Sequence, residues 1–223
     1  MMDYSTLCKY SLRLTEKLKS LDIQNVLDFE LINKAIYFAR KYHGDQKRKS
    51  GELYYTHPLE VAYMISDYNL KTDVIVASIL HDIIEDSEIT VEIIQDGFGK
   101  RIAEIVDRLT RDRPDGTKLT LEEIINNAYH KKDKEVLLIK LFDRLHNMQT
   151  IGVKFLDKQI KESQETLKNF VSLAMYLENI NLEKAISCLC HKISSNQEKV
   201  NKIRFMYDFL KQDDSYRLPS LIR

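Results

Sequence analysis

The chain has 223 residues, 43% of them hydrophobic, which is enough to bury one good-sized core and is compatible with one or two domains. Its 34 basic residues balance its 34 acidic residues, so no overall charge attracts it to nucleic acid or to an anionic membrane, and any anionic ligand must meet a local basic cluster. The three cysteines lack the count and spacing of a disulfide framework, which is typical of a reducing compartment.

The N-terminal residues lack the long apolar stretch of a signal peptide, and charged residues interrupt them. No apolar run in the sequence approaches the roughly 20 residues that a membrane-spanning helix requires. We therefore expect a soluble, cytoplasmic protein with neither a membrane nor a nucleic acid as its partner. The sequence leaves the oligomeric state open.

Helical periodicity dominates the chain, because apolar residues recur at a spacing near 3.6. The predicted helices run from Phe29 to Tyr42, from His57-Pro58 onward, from Asp73 as a cap to about Ile84, from Thr90 as a cap, from Arg101 to Leu109, from Leu121 to Tyr129 and from Glu135 to Thr150. Residues 158–211 are also helical in pattern, with breaks predicted near Asn179–Asn181 and Ser194–Ser195. Between the helices, the polar residues 111–118 predict a loop that contains proline and glycine.

No segment shows the alternating pattern of a β-strand. An α/β fold would need strands in apolar runs such as residues 136–139, and those runs continue into a longer helical pattern. We therefore predict an all-α fold, a single compact helical bundle with additional C-terminal helices. Its expected parts are an N-terminal helical segment (1–28), a central domain (29–157), C-terminal helices that pack on it or extend it (158–211) and a tail (212–223).

The stretch ILHDIIEDS, residues 79–87, places four ionisable side chains among apolar ones. On one continuous helix, His81 would share a face with Glu85, and Asp82 with Asp86, because residues four apart are neighbours on a helix surface. A solvated helix face or a buried set of ion pairs would explain this pattern as well as a functional site does.

Two further residues turn the pattern into a hypothesis of a metal site. Asp143 interrupts an apolar helix, where an unpaired carboxylate would be costly, and His57 lies at a junction between a loop and a helix. A divalent ion would explain the burial of Asp143 together with that of His81 and Asp82. Two imidazoles and two carboxylates suit an octahedral ion of the Mn²⁺, Fe²⁺ or Mg²⁺ type, and the absence of cysteine disfavours a tetrahedral structural zinc.

Three segments carry a resemblance to a known family: RKSGELYYTHP (48–58), LHDIIEDS (80–87) and IKLFDRLHNMQT (139–150). The order of His, His-Asp and Asp is similar to the HD-domain metal-dependent phosphohydrolases. The surrounding residues closely resemble the hydrolase domain of the RelA/SpoT proteins, which make and degrade the alarmone (p)ppGpp. The resemblance covers about residues 29–152, continues weakly through 165–177 and includes no synthetase motif, which implies a stand-alone hydrolase.

The resemblance implies an HD hydrolase domain and an Mn²⁺-dependent enzyme that cleaves the 3′-pyrophosphate of (p)ppGpp, giving GDP or GTP and pyrophosphate. It implies that Mn²⁺ is held by His57, His81, Asp82 and Asp143. It implies that Glu85 and Asp86 position and deprotonate the attacking water. It also implies that Arg48 and Lys49 hold pyrophosphate oxygens, and that Asn147 and Thr150 line the nucleoside side of the pocket. These roles are chemically consistent, because a carboxylate one turn from the ligands suits a general base and a guanidinium binds phosphate through two hydrogen bonds.

Alternative interpretations use the same residues. The chain could act on another nucleotide, such as a dNTP or NADPH, or it could bind alarmone without turnover. The intact pair of Glu85 and Asp86 favours an enzyme, because a binding protein has no need of a general base. We expect His146, which points about 100° from Asn147 on a helix, to be a structural residue that packs against or bonds to a neighbouring helix.

Overall fold

The computed structural model describes residues 8–113 and 116–212, which contain eleven α-helices and one 3₁₀ turn. The helices are α1 (Lys9–Leu21), α2 (Phe29–His43), α3 (Thr56–Ile65), α4 (Thr72–Leu80), α5 (Ile83–Asp86), α6 (Val91–Phe98), α7 (Lys100–Leu109), α8 (Leu121–His130), α9 (Lys134–Gln149), α10 (Leu156–Tyr176) and α11 (Ile180–Gln212), with the 3₁₀ turn Ile151–Val153 between α9 and α10. Residues 1–7 of the predicted N-terminal segment, 114–115 of the predicted loop and 213–223 of the predicted tail lie outside the described residues.

The prediction of an all-α fold is confirmed. The apolar run 136–139, which an α/β fold would have used as a strand, lies inside α9. Outside the helices, the described residues form two isolated β-bridges, Lys47 with Leu53 and Asp112 with Lys118, and no strand. We also find no membrane-spanning candidate in the described ranges, where no helix combines the length and the hydropathy that crossing a bilayer demands.

Helix α4 lies at the centre of the molecule. Every residue from 74 to 80 is buried, and a helix that is apolar on all sides is stable only inside a core. Helices α2, α3, α7 and α9 pack around it. Since α4 is central, the residues that follow its C-terminal end are also held in the interior, and these include the histidine and the aspartate of ILHDIIEDS.

The predicted continuous helix to Ile84 is wrong, because α4 ends at Leu80. The ring of His81 explains the break. Its Nδ1 atom lies 2.7 Å from the carbonyl oxygen of Ser78, which is the oxygen that the N–H of Asp82 would use if the helix continued. The chain therefore turns, and Asp82 becomes the N-terminal cap residue of the short helix α5.

Short polar side chains set the starts of the neighbouring helices. Thr90 caps α6, as predicted, by accepting a hydrogen bond from the N–H of Ile93. Asp133 caps α9 by accepting from the N–H of Val136 at 3.2 Å, which fixes the register of the helix that carries most of the site. Asp73 is not the cap that the sequence predicted, because α4 begins one residue earlier and Asp73 lies in its first turn.

The last two helices contribute to the same core as α4. Phe170 of α10 and Ile186 of α11 are fully buried in it. The chain turns between these helices at residues 177–179, close to the first predicted break. The second predicted break, at Ser194–Ser195, is wrong because α11 is continuous there. Both hydroxyls donate to carbonyl oxygens within the helix and so leave its backbone ladder intact.

Replacing Phe170 by alanine is expected to lower the free energy of unfolding by about 3–5 kcal/mol, because it would leave a cavity in the shared core. Its side chain is 0% exposed, and the guanidinium of Arg144 lies 4.8 Å from its ring centre. Chemical denaturation should show one transition before and after the change. Met175→Ala is the control, since that side chain on the same helix is 67% exposed. Separate transitions for the C-terminal helices would contradict a shared core.

Candidate metal centre and active site

Three buried side chains from distant parts of the chain meet in the interior: His57 of α3, His81 after α4 and Asp143 of α9. Each offers one ligand atom, and these atoms all lie within 4.8 Å of one another. The Nε2 atoms of His57 and His81 lie 3.2 Å and 3.8 Å from Oδ1 of Asp143. The structure thus brings together three of the four residues that the sequence predicts as metal ligands.

The fourth predicted ligand, Asp82, lies at the border of this group. Its Oδ1 atom is 3.1 Å from Nε2 of His81, and its Oδ2 atom is 3.6 Å from Nε2 of His57. Oδ2 also accepts a hydrogen bond from the hydroxyl of Tyr54 at 3.4 Å. Asp82 therefore contacts both imidazoles, although it is outside the set whose ligand atoms are all mutually within 4.8 Å.

The donor set fits a divalent ion, and His81 gives the clearest indication. Its Nδ1 must donate to the Ser78 carbonyl, because a carbonyl oxygen only accepts, and in the neutral ring this leaves a lone pair on Nε2. That Nε2 is buried and lacks a hydrogen-bond partner of suitable geometry among the described residues. A metal ion satisfies an imidazole nitrogen of this kind when the other ring nitrogen is held by a backbone carbonyl.

Without an ion, the cluster relies on other positive charges. Burial lowers the pKa of His81, but Asp82 and Asp143 outweigh it and raise that pKa to about 10. Without an ion the ring therefore carries a second hydrogen, on Nε2, and a bound metal ion would take the place of that hydrogen. Burial raises the pKa of Asp143, but Lys140 and the two histidines hold it well below its usual range. The Asp143 carboxylate is therefore ionised at neutral pH, which is the form that can act as a metal ligand.

Lys140 is a member of the site that the sequence analysis missed. Its side chain is almost completely buried, and its Nζ atom lies 3.0 Å from Oδ2 of Asp143. A spacing of three residues places both side chains on one face of α9, so the signal was present in the segment IKLFD. The lysine holds Oδ2 of the aspartate, and Oδ1 is the atom that faces the histidines.

A cavity of about 300 Å³ opens over the cluster, and Glu85 lies in its wall. The backbone N–H of Arg111 donates a hydrogen bond to the Glu85 carboxylate, so the loop after α7 holds this side chain in place. Burial raises the pKa of Glu85 above its ordinary value in spite of that hydrogen bond. Asp86, predicted to share the role of Glu85, is not among the described residues that line the cavity.

A second cavity of about 320 Å³ adjoins the first and carries a basic lining. Both cavities are bordered by Arg48, Tyr54, Asn147 and Lys154, so together they form one groove. The predicted substrate-binding residues Lys49 and Thr150 line the second cavity, as does Lys47. The local basic run at 47–49 therefore faces the groove.

A hydrogen-bonded chain connects the basic cavity to the metal cluster. Nη2 of Arg48 donates to Oδ1 of Asn147 at 2.6 Å, and Nδ2 of Asn147 donates to Oδ1 of Asp143, also at 2.6 Å. The loop that carries Arg48 reverses at Gly51, whose φ of 88° favours glycine, and the N–H of Arg48 donates to the Glu52 carbonyl at 2.9 Å. Arg48 is thus held by its backbone and by its side chain.

Helix α10 brings acidic partners to this groove. Arg144 donates to Glu165 at 3.1 Å, and Lys154 bonds to Glu162 at 2.7 Å, and all four residues line the first cavity. The sequence analysis assigned no role to them or to Arg111. No short-range pattern marks them, because their position depends on how α10 and the loop after α7 cross the groove.

A model of the HD-domain family matches residues 35–178. The chain is 39% identical over 151 residues to a GTP pyrophosphokinase rsh of Brucella suis, which covers 65% of this chain and 20% of the relative. It is 31% identical over 218 residues to a probable guanosine-3′,5′-bis(diphosphate) 3′-pyrophosphohydrolase of Mycoplasma genitalium, which covers 90% of this chain and 29% of the relative. The chain thus spans less than a third of the length of these relatives.

A third relative, a guanosine-3′,5′-bis(diphosphate) 3′-pyrophosphohydrolase of Aquifex aeolicus, is 38% identical over 151 residues, covering 65% of this chain and 21% of that protein. Among solved structures, a protein described as a metazoan ortholog of SpoT that hydrolyses ppGpp superimposes with a TM-score of 0.61 and 22% identity. The match covers 74% of this chain and 96% of that one. The likeness extends over nearly all of that chain and shows that the two share a fold.

Proposed function

The chain belongs to the HD-domain family, and from this premise we propose that it hydrolyses the 3′-pyrophosphate of guanosine 3′,5′-bis(diphosphate) with the help of a divalent ion. One observation carries the proposal: Glu85 lies in the wall of a basic groove, directly over a buried cluster of two imidazoles and a carboxylate. A catalyst needs both parts, and a binding protein needs only the groove. The names of the Mycoplasma and Aquifex relatives support the choice of substrate.

The residues that would hold the ion are His57, His81 and Asp143, with Asp82 beside them. We propose Mn²⁺, because a mixed set of imidazoles and carboxylates suits it, and because it is the ion that the resemblance to the RelA/SpoT hydrolase domain implies. When bound, such an ion supplies Lewis acidity toward a phosphoryl oxygen and neutralises charge that develops there.

We assign the role of general base to Glu85, because its carboxylate lines the cavity over the cluster. Its carboxylate would take a proton from the attacking water while the water oxygen forms a bond to the phosphorus next to the 3′ oxygen. The bond between that phosphorus and the 3′ oxygen breaks, and the 3′ oxygen takes up a proton to become the hydroxyl of GDP. The other product is pyrophosphate, so one water is consumed for each substrate.

The basic lining of the groove would hold the anionic substrate. Arg48 presents a planar guanidinium that binds phosphate oxygens through two charge-assisted hydrogen bonds, and Lys49 adds a compact charge nearby. Asn147 and Thr150 occupy the same lining and would contact the nucleoside. This local set of cations compensates for a net charge of zero over the whole chain.

The proposal is tested by incubating the purified chain with guanosine 3′,5′-bis(diphosphate), a dNTP or NADPH, each with Mn²⁺ and with a chelator. We expect GDP and pyrophosphate from the first substrate with manganese, and loss of both products with the chelator. Turnover of the dNTP or NADPH alone would replace the substrate that we propose. Tight binding of guanosine 3′,5′-bis(diphosphate) without any product would identify a silent binding protein.

The rate of hydrolysis is expected to fall on the acid side at a pH above the ordinary glutamate pKa of 4.5. Burial raises the pKa of Glu85, so its carboxylate gains a proton and stops acting as a base at a higher pH than an exposed glutamate would. A profile of kcat against pH, measured at saturating metal and substrate, gives the pH at which the rate falls on the acid side. A rate that stays constant down to pH 4.5 would contradict the assignment.

A further inference from the structure

His146 lies outside the metal cluster but contacts one of its members directly. Its Nδ1 atom is 2.7 Å from Nδ1 of His57, and the two ring centres are 4.8 Å apart. His57 is 2% exposed and His146 is 9% exposed, so the contact is buried and no water mediates it. At this distance one of the two nitrogens must carry the hydrogen and the other must accept it.

Arg48 decides the direction of this hydrogen bond. Its Nη1 atom lies 3.3 Å from Nδ1 of His146, and a guanidinium group has donors and no acceptor. If His146 carried a hydrogen on Nδ1, two donors would face each other there. Nδ1 of His146 is therefore an acceptor, and the hydrogen between the rings belongs to His57.

We propose that His146 is a positioning residue that holds His57 in its Nδ1–H tautomer, so that the lone pair of Nε2 is presented to a metal ion. This inference rests on the metal site of the proposed function and adds the group that orients one of its ligands. The opposite tautomer would place a hydrogen on Nε2, between His57 and the carboxylate of Asp143, and would block the nitrogen.

The surroundings of Nε2 make this tautomer a choice that needs a second group. Oδ1 of Asp143 lies 3.2 Å away, and Oδ2 of Asp82 lies 3.6 Å away. Both oxygens are acceptors, so without an ion they favour a hydrogen on Nε2, and the acceptor on His146, fixed by Arg48, is what holds the hydrogen on Nδ1 instead. The Ser78 carbonyl likewise holds the Nδ1–H of His81, so that Nε2 is the nitrogen left for an ion there too.

Two variants separate positioning from simple packing. Asparagine at 146 retains an acceptor oxygen close to the place of Nδ1, whereas leucine fills a similar volume without any acceptor. In the metal-free protein at pH 8, nitrogen NMR of the imidazoles reports which ring nitrogen of His57 carries the hydrogen. Calorimetric titration with Mn²⁺ in the absence of substrate reports the affinity.

We expect an Nδ1–H tautomer of His57 in the wild type and in His146→Asn, and its loss in His146→Leu. The affinity for Mn²⁺ should fall about 10–100-fold in the leucine variant and only a few-fold in the asparagine variant. An unprotonated Nδ1 on His57 in the wild-type protein would overturn the proposal, and that measurement needs no variant. Equal losses of affinity in both variants would also overturn it. Neither readout involves the nucleotide, so failure of the proposed hydrolysis would leave this test unaffected.

Discussion

Replacing Glu85 by glutamine is expected to lower kcat by about two to four orders of magnitude, the usual contribution of a general base, while the metal content stays unchanged. Glutamine keeps the size of the side chain and can still accept the hydrogen bond from the N–H of Arg111, but it cannot take a proton from water. Elemental analysis and the rate of pyrophosphate release are the two measurements.

Asp86→Asn is the matched control. This acid is one residue away and is also half-buried, but it is not among the described residues that line the cavity. We expect a smaller loss of kcat in Asp86→Asn than in Glu85→Gln. Undiminished turnover in the glutamine variant would remove Glu85 from the mechanism, and loss of the metal from it would make Glu85 a ligand instead of a base.

Replacing Asp143 by leucine is expected to reduce the affinity for the metal by more than about 100-fold, which exceeds the effect of changing a supporting residue. The same change should lower the free energy of unfolding of the metal-free protein by about 3–5 kcal/mol, because it leaves the buried charge of Lys140 without a partner. Titration calorimetry and chemical denaturation measure the two effects independently.

The double variant Asp143→Leu with Lys140→Met separates these effects. Removing both members of a buried ion pair and replacing them with apolar side chains is often close to neutral for stability. We therefore expect the double variant to regain most of the lost stability and to remain unable to bind Mn²⁺. If the double variant is as unstable as the single one, the pair of Lys140 and Asp143 does not explain the loss.

Much of the fold could be predicted from local patterns. Helices α7, α8 and α9 begin and end within a residue or two of prediction, and α6 begins directly after its predicted cap, because a cap or a period of 3.6 acts over a few neighbouring residues. Two wrong predictions, the end of α4 and the break in α11, also have local causes, which the spacing of apolar residues does not show. His81 takes the carbonyl that would have continued α4, and serine hydroxyls that bond inside α11 do not break it.

The sequence by itself determined the chemical inventory of the site: two histidines, the neighbouring acids and a basic loop, each recognisable in a short motif. Tertiary structure alone decided how this inventory is used. It places Glu85 in the cavity wall without Asp86 and joins the ring of His57 to that of His146. The physical reason is range, since helix periodicity and caps act over one or two turns, whereas these contacts join residues up to 89 positions apart and exist only once α3, α4 and α9 have packed.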